Sequence, residues 1–384
     1  MPIQLPQHAA AAVQQLRRQQ IPCWVTGSAL RSSLLGCPAA EWELTAVCTP
    51  AQAAAALPGA APAPDEADVL QQPGLRVVLC GADGSRTPEA ALRGRLARQL
   101  LTVDAMAWDG QVVLDPHHGR YDLADRLLRC TGEPEAQFAH RPLQSLRLYR
   151  LAAELDFAIE PCTAAAALRA AAEPGRLTAP QVRAQLEAAL MGARPSALWP
   201  LVACGALRPF GLWYAGLPAP EQNPLLPLDA VPAVPVLRWW ALAKLCGCGL
   251  YRLQTALAQS ERFARATNRL QAFYREGMPA DRHALRRRLM EPLPGGDEAA
   301  LLTFAAVDAA FDALPGLYAA VAARREPYRV EHLRITPAEL LAEGVPAGKL
   351  AAVQRCLLQA VVDTPELNVW PVLAQMAKSL RRLV

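Results

Sequence analysis

Two glutamates one residue apart, Glu41 and Glu43, follow a Gly-Ser pair at Gly27-Ser28 in the stretch CWVTGSALRSSLLGCPAAEWELT, residues 23–45. In an extended strand, residues i and i+2 point to the same face. Two carboxylates held that close repel each other unless a cation sits between them. The spacing therefore suits a divalent metal, although an exposed edge strand would also tolerate it. The Gly-Ser pair stands where a strand would hand over to a helix, and the backbone N–H groups of such a turn can hold phosphate oxygens. Turn and acids together suit nucleotidyl transfer. There, paired carboxylates hold Mg²⁺, with Mn²⁺ as an alternative, to activate a hydroxyl and steady a leaving pyrophosphate.

The elements that must position these groups can be read from periodicity. IPCWV reads as a strand ending at Gly27, SALRSSLLG as a short helix closed by Gly36, and EWELTAV as a second strand. TPAQAAAAL predicts a helix with Thr49 as N-cap and Pro50 in its first turn. LRVVLC reads as a strand, and LLTVDAMAW with QVVLD as a hairpin around Asp109-Gly110. From Phe138 onward the pattern turns helical, and in LQSLRLYRLAAEL it places Arg147 and Arg150 on one side. Six prolines between Pro218 and Pro235 break the pattern. The expected division is 1–137 as an α/β head, 138–216 as a helical neck, 217–235 as a Pro-rich connection, and 236–384 as a helical body and tail.

Bulk properties narrow the class. The chain has 384 residues, 52% of them hydrophobic, which argues against disorder and allows large cores. Net charge is +4, a weak pointer to an anionic partner. Arg greatly outnumbers Lys, and Arg suits bidentate phosphate contacts; a GC-rich genome would give the same excess. The ten cysteines form no paired CxxC and read as reduced thiols without disulfide partners. The first twenty residues lack the basic and apolar regions of a signal peptide, and no uncharged apolar run reaches membrane-spanning length. Cytoplasmic location, with no membrane partner, is the expectation.

The stretch TGSALRSSLLGCPAAEWELTAVCTPAQ resembles the opening motif of the class II CCA-adding tRNA nucleotidyltransferases and bacterial poly(A) polymerases. That motif combines a Gly-Gly or Gly-Ser turn, V-R-D, L-L-G and D-x-D before a Thr-Pro helix start. Gly27, Ser28, Arg31, Leu34, Leu35 and Gly36 match, and Glu41 and Glu43 occupy the D-x-D positions. LARQLLTVDAMAWDGQVVLDPHHGRYDLADRLLRCTGEPEAQF resembles the family's RRDFTINAMAYD…IDPFGGREDL…IR…GDPEERF segment. LRITPAELLAEGVPAGKLAAVQRCLLQAVVDTPELN resembles the tail-side helices of bacterial members that lack an HD hydrolase domain.

The resemblance implies a polymerase-beta-like α/β nucleotidyltransferase head with a mixed sheet, then an all-α neck, body and tail. It implies catalytic carboxylates at Glu41, Glu43 and Asp83, with metal on Glu41 and Glu43. Nucleotide contacts would fall to Gly27, Ser28, Arg31, Arg98, Thr102, Arg141, Gln144, Arg147 and Arg150. Partners would be nucleoside triphosphates and a tRNA or other RNA 3′ end. Arg262, Arg265, Arg269, Arg286 and Arg287 are the basic residues of the body suited to RNA phosphates; a solvated helix face is the other meaning of such clusters. Several positions depart from the family. Glu replaces both aspartates of D-x-D, Asp104 replaces the Asn of RRDFTIN, and the templating motif E-D-x-x-R reads His140-Arg141-Pro142-Leu143-Gln144. Two functions stand: metal-dependent addition of nucleotides to a tRNA 3′ end, or a catalytically silent RNA-binding relative. The adjacent His117 and His118 read as part of a structural turn.

Overall fold

The structure is a computed structural model describing residues 3–39, 41–64, 66–80, 87–139, 141–173, 177–214, 216 and 222–383. The chain divides into two compact units, Met1–Leu177 and Thr178–Val384. The expected head and the first neck helices thus fall in one unit, and the Pro-rich stretch falls in the other.

In chain order the first unit contains α1 (Gln7–Arg18), β1 (Cys23–Thr26), α2 (Gly27–Leu34), β2 (Trp42–Val47) and α3 (Pro50–Ala56). Then come β3 (Ala61–Ala63), β4 (Glu66–Gln72), β5 (Leu75–Cys80), α4 (Pro88–Leu96) and a 3₁₀ turn at Thr102–Asp104. It closes with β6 (Ala107–Trp108), β7 (Val113–Leu114), α5 (Gly119–Ala124), β8 (Leu127–Leu128), α6 (Pro134–Phe138), α7 (Pro142–Leu155), β9 (Ala158–Ile159) and α8 (Pro161–Ala171). The main sheet runs β3-β4-β5-β2-β1-β6-β7. Only β2 and β5 pair in parallel, so the sheet is mixed.

Alternation along the strands divides the two faces. Val25, Trp42, Leu44, Leu75 and Val77 join Leu16 of α1 and Leu30 of α2 in the principal core. On the opposite face, Leu92 and Leu96 of α4 pack with Ala105 and Ala107. Period-2 register therefore sends Glu43, Thr45 and Arg76 to the α4 side while their neighbours fill the principal core. Thr49 caps α3 through a reciprocal capping box with Gln52, as its position before Pro50 predicts. The strands β3 and β4 were not among the expected elements. Pro62 and Pro64 mask β3, which sits at the sheet edge where proline is tolerated.

The Asp115-Pro116-His117-His118 turn is structural. Its Asp115 carboxylate accepts the backbone N–H groups of Gly119 at 2.7 Å and Arg120 at 2.9 Å, at the start of α5. Gly119 lies so close to the 3₁₀ turn that an added Cβ would stand 2.1 Å from the Thr102 carbonyl oxygen.

The second unit is helical, with α9 (Ala179–Leu190), α10 (Trp199–Ala203), α11 (Pro235–Cys246), α12 (Leu250–Ala256), α13 (Glu261–Arg275) and α14 (Arg282–Leu289). It continues through α15 (Asp297–Val307), α16 (Leu314–Ala323), α17 (Pro337–Ala342), α18 (Leu350–Asp363) and α19 (Trp370–Leu383). Trp239 and Trp240 are core residues; Trp240 packs edge-on against Phe304 with centroids 5.0 Å apart. The ten cysteines are free. Among the described residues, no helix is long and apolar enough to cross a membrane.

Replacing Gly119 with Ala should force the 3₁₀ turn away from α5 and destabilise the protein by about 1–3 kcal/mol or more, as overpacking does. Denaturant unfolding of the variant against the parent measures this.

Candidate active site

Glu43 is the fixed point of the candidate site. On β2 it stands opposite Thr26 of β1 and beside Arg76 of β5. The Thr26 hydroxyl donates to Glu43 Oε1 at 3.0 Å, and its oxygen lies 2.9 Å from Thr45 Oγ1. Since Thr26 has a single hydroxyl proton and gives it to Glu43, Thr45 must donate in the second bond. Both threonines are fully buried. A chain Thr45→Thr26→Glu43 therefore fixes the carboxylate from beneath.

The Gly-Ser turn meets that carboxylate directly. Gly27 opens α2 with φ +68°, and a Cβ there would lie 2.9 Å from Glu43 Oε1. Only glycine accommodates both the left-handed backbone and the close approach. Glu41 lies just before β2 and is exposed, and its charge, like that of Glu43, acts on Arg76.

Cations surround these acids. Arg76 makes a hydrogen-bonded ion pair with Glu66 and also feels the charges of Glu43 and Glu41. That hydrogen bond holds the Glu66 carboxyl below the usual range, with the charges of Arg95 and Arg147 adding to the effect. Arg147 of α7 thus bears on the sheet face that carries the acids. Arg95 of α4 places a guanidinium nitrogen 3.9 Å from Glu43 Oε1.

Other expected contacts are engaged elsewhere. Arg31 is buried and forms a hydrogen-bonded ion pair with Asp104, so it does not face solvent as a phosphate contact would. Burial pushes the Asp104 carboxyl above its usual range, and Arg31 with Arg150 offsets part of that. The Thr102 hydroxyl is also buried, donating to Asp122 at 2.6 Å. Arg98 is exposed and donates through Nε to the Gly94 carbonyl at 3.1 Å. Arg150 pairs with Glu154 one turn along α7. Arg141 precedes α7 in an exposed position and Gln144 lies in its first turn, half-buried. Asp83 and His140 lie outside the described residues.

In the second unit, Arg262 and Arg265 are exposed on α13, with Arg265 3.9 Å from Glu261. Arg269 pairs with Glu291 and donates to the Pro292 carbonyl at 2.9 Å. Arg287 is exposed, 3.7 Å from Asp363. The expectation of an RNA contact at Arg286 is corrected. Its side chain turns inward, 5% exposed, to Glu326 at 3.3 Å, because α14 packs that face against α16.

Among the described residues, no three His, Cys, Asp or Glu side chains converge as a metal cluster. Glu41 and Glu43 remain a hard, all-oxygen donor pair, and Mg²⁺ commonly binds through one or two carboxylates, with water and substrate phosphates completing its shell. The donor set fits such an ion. Sequence reasoning found the carboxylates but missed Thr26, Thr45, Arg76, Glu66 and Arg95. Arg76 was detectable as a charge in an otherwise apolar strand; Arg95 was not, because its partner lies 52 positions away in sequence, across the packing of α4 on the sheet.

No family model matches the chain. Just under half of it is 35% identical over 204 residues to a Multifunctional CCA protein of Leptothrix cholodnii. A CCA-adding enzyme of Geobacillus stearothermophilus is 27% identical over 217 residues, covering 51% of this chain. The chain spans about half the length of these curated relatives, 48% and 52% respectively. Solved structures extend the likeness in fold to nearly the whole chain. The Bacillus stearothermophilus CCA-adding enzyme in complex with CTP superposes with a TM-score of 0.64 at 23% identity, covering 98% of both chains. The Thermotoga maritima CCA-adding enzyme complexed with tRNA gives 0.65 at 16% identity, covering 98% of this chain and 97% of that one. The chain is therefore similar in sequence over about half its length, and in fold over nearly all of it, to CCA-adding enzymes. Within that shared fold, a mixed-sheet head followed by helices, Glu43 and the Gly27 turn meet at the end of β1.

Replacing Thr26 with Val should leave Thr45 without an acceptor and cost about 1–3 kcal/mol. Urea denaturation should show that loss, with part of it recovered in the double variant carrying Thr45→Val as well.

Proposed function

We propose that this chain transfers a nucleoside monophosphate from a nucleoside triphosphate to the 3′-hydroxyl of a tRNA, in the manner of CCA addition, in the cytoplasm. One observation carries the reading: the Glu43 carboxylate lies directly against the Gly27 turn. A triphosphate resting on the N–H groups of that turn would bring its α-phosphorus beside the carboxylates.

The 3′-hydroxyl oxygen bonds to the α-phosphorus as the bond to the α–β bridging oxygen breaks, and pyrophosphate leaves. The hydroxyl proton passes to solvent or to a nearby carboxylate. Glu41 and Glu43 would hold the divalent ion, Mg²⁺ by donor chemistry, with a third acid at Asp83 proposed from the family motif. When bound, the ion lowers the pKa of the attacking hydroxyl and offsets charge on the phosphoryl oxygens. Thr26 keeps Glu43 oriented, and Arg76 keeps the acidic face from repelling the triphosphate. Gly27 and Ser28 would cradle phosphate oxygens, while Arg141, Gln144, Arg147 and Arg150 of the neck would meet the nucleotide. Arg262, Arg265, Arg269 and Arg287 are the proposed RNA-phosphate contacts.

The test is an incorporation assay with Mg²⁺, each labelled nucleoside triphosphate in turn, and tRNAs ending before, within and after CCA. Addition of C and then A is the expected result. Glu43→Ala and Glu41→Ala should each lower incorporation by about 100-fold or more, since even small misplacement of reacting groups costs that much. Incorporation that survives both changes, or no incorporation by the parent protein, would overturn the reading; in the second case tRNA binding alone would favour the silent relative.

A further inference from the structure

The carboxylate at the turn already has a cation in front of it. Arg95 extends from α4 across the sheet face to bring a guanidinium nitrogen within 3.9 Å of Glu43 Oε1, with the two side chains 22% and 20% exposed. At that distance the attraction is Coulombic and not a formed hydrogen bond. The Arg95 Nε is buried and without a hydrogen-bond partner. Arg31 and Arg76 are held differently: Arg31 is hydrogen-bonded to Asp104, and Arg76 to Glu66. Arg95 is by contrast a loosely held positive charge lying against Glu43. Its field also reaches Glu66 and Cys80.

We infer that Arg95 is an internal counter-ion of Glu43 that a divalent cation must displace, and that its freed guanidinium then binds the triphosphate of the incoming nucleotide. The inference rests on Glu41 and Glu43 being the metal site. A divalent ion and a guanidinium repel each other and compete for the same carboxylate. The metal alone therefore binds weakly. A triphosphate brings several negative charges to the Gly27 turn and draws Arg95 off Glu43, so metal and nucleotide each strengthen binding of the other, as linkage requires. Arg95 is thus both competitor for the metal and ligand for the nucleotide, depending on whether phosphate is present.

Two titrations on the full chain test this. In the first, Mn²⁺ alone is added and the free ion is followed by electron paramagnetic resonance. Arg95→Gln should tighten Mn²⁺ binding by about fivefold, the scale of a half-exposed ion pair, and Arg95→Lys should bring it back toward the parent value. Adding Glu43→Gln to Arg95→Gln should abolish the gain. In the second, ATP is titrated in EDTA, and Arg95→Gln should weaken its binding by about fivefold. Equal Mn²⁺ affinity in parent and Arg95→Gln, no Mn²⁺ binding by either, or a gain that persists without the Glu43 charge would overturn the inference, as would unchanged ATP affinity. Neither titration contains RNA or reads incorporation. A protein that shows the Mn²⁺ and ATP shifts but adds no nucleotide keeps the inference and loses the tRNA reading. One that adds nucleotides with equal Mn²⁺ affinities does the reverse.

Discussion

Glu43 has to keep a negative charge at the surface of a sheet whose other face is hydrocarbon, and most of the first unit can be understood from that constraint. A carboxylate so placed needs hydrogen-bond donors beneath it and positive charge beside it. The two buried threonine hydroxyls supply the first, in a relay with its direction fixed by proton count. The neighbouring strands supply the second, because parallel pairing of β2 with β5 puts Arg76 at the same level as Glu43. Arg76 is bonded to Glu66, so it acts on Glu43 through its charge alone.

The same logic explains the departures from the family's usual residues. Asp104, standing where the family has Asn, neutralises Arg31 and takes it out of solvent. A buried ion pair of this kind adds little net stability, yet losing either partner would leave a buried charge unpaired. Helix α2, which carries the Gly-Ser turn on its first residues, is thereby tied to the 3₁₀ turn at Thr102–Asp104. Gly119 and Asp122 hold that turn from the other side. The Gly27-Ser28 turn and the segment resembling RRDFTIN thus form one mechanical unit. Positive charge over the carboxylates comes from Arg76 and Arg95 instead.

How much of this could be read from residues alone followed from the range of the interactions involved. Strand alternation in EWELTAV and the Thr49-Pro50 start signal are local, and they gave β2 and α3 correctly. The mixed sheet and the helical remainder followed from pattern and resemblance. Edge strand β3 was invisible because a proline-bearing segment carries no strand signature, and β4 beside it because its pairing is decided by β5. The inward turn of Arg286 was equally hidden: a run of three arginines on α14 looks like a surface cluster until the segment that follows α16 supplies Glu326. The roles of Arg31 and Arg95 depend on partners 73 and 52 positions away, which one-dimensional periodicity does not encode.

The place of β2 in the strand order has a further consequence. With β5 on one side and β1 on the other, it is bonded along both edges, while β3 and β7 end the sheet. Native proteins open from their margins inward, with free energies that rise toward the fully paired interior. Amide protons of β2 and β1 therefore belong to the last portion of the sheet to exchange with solvent. Fraying confined to the marginal strands leaves Thr26 and Glu43 facing each other, so the carboxylate keeps its geometry while the sheet breathes at its borders.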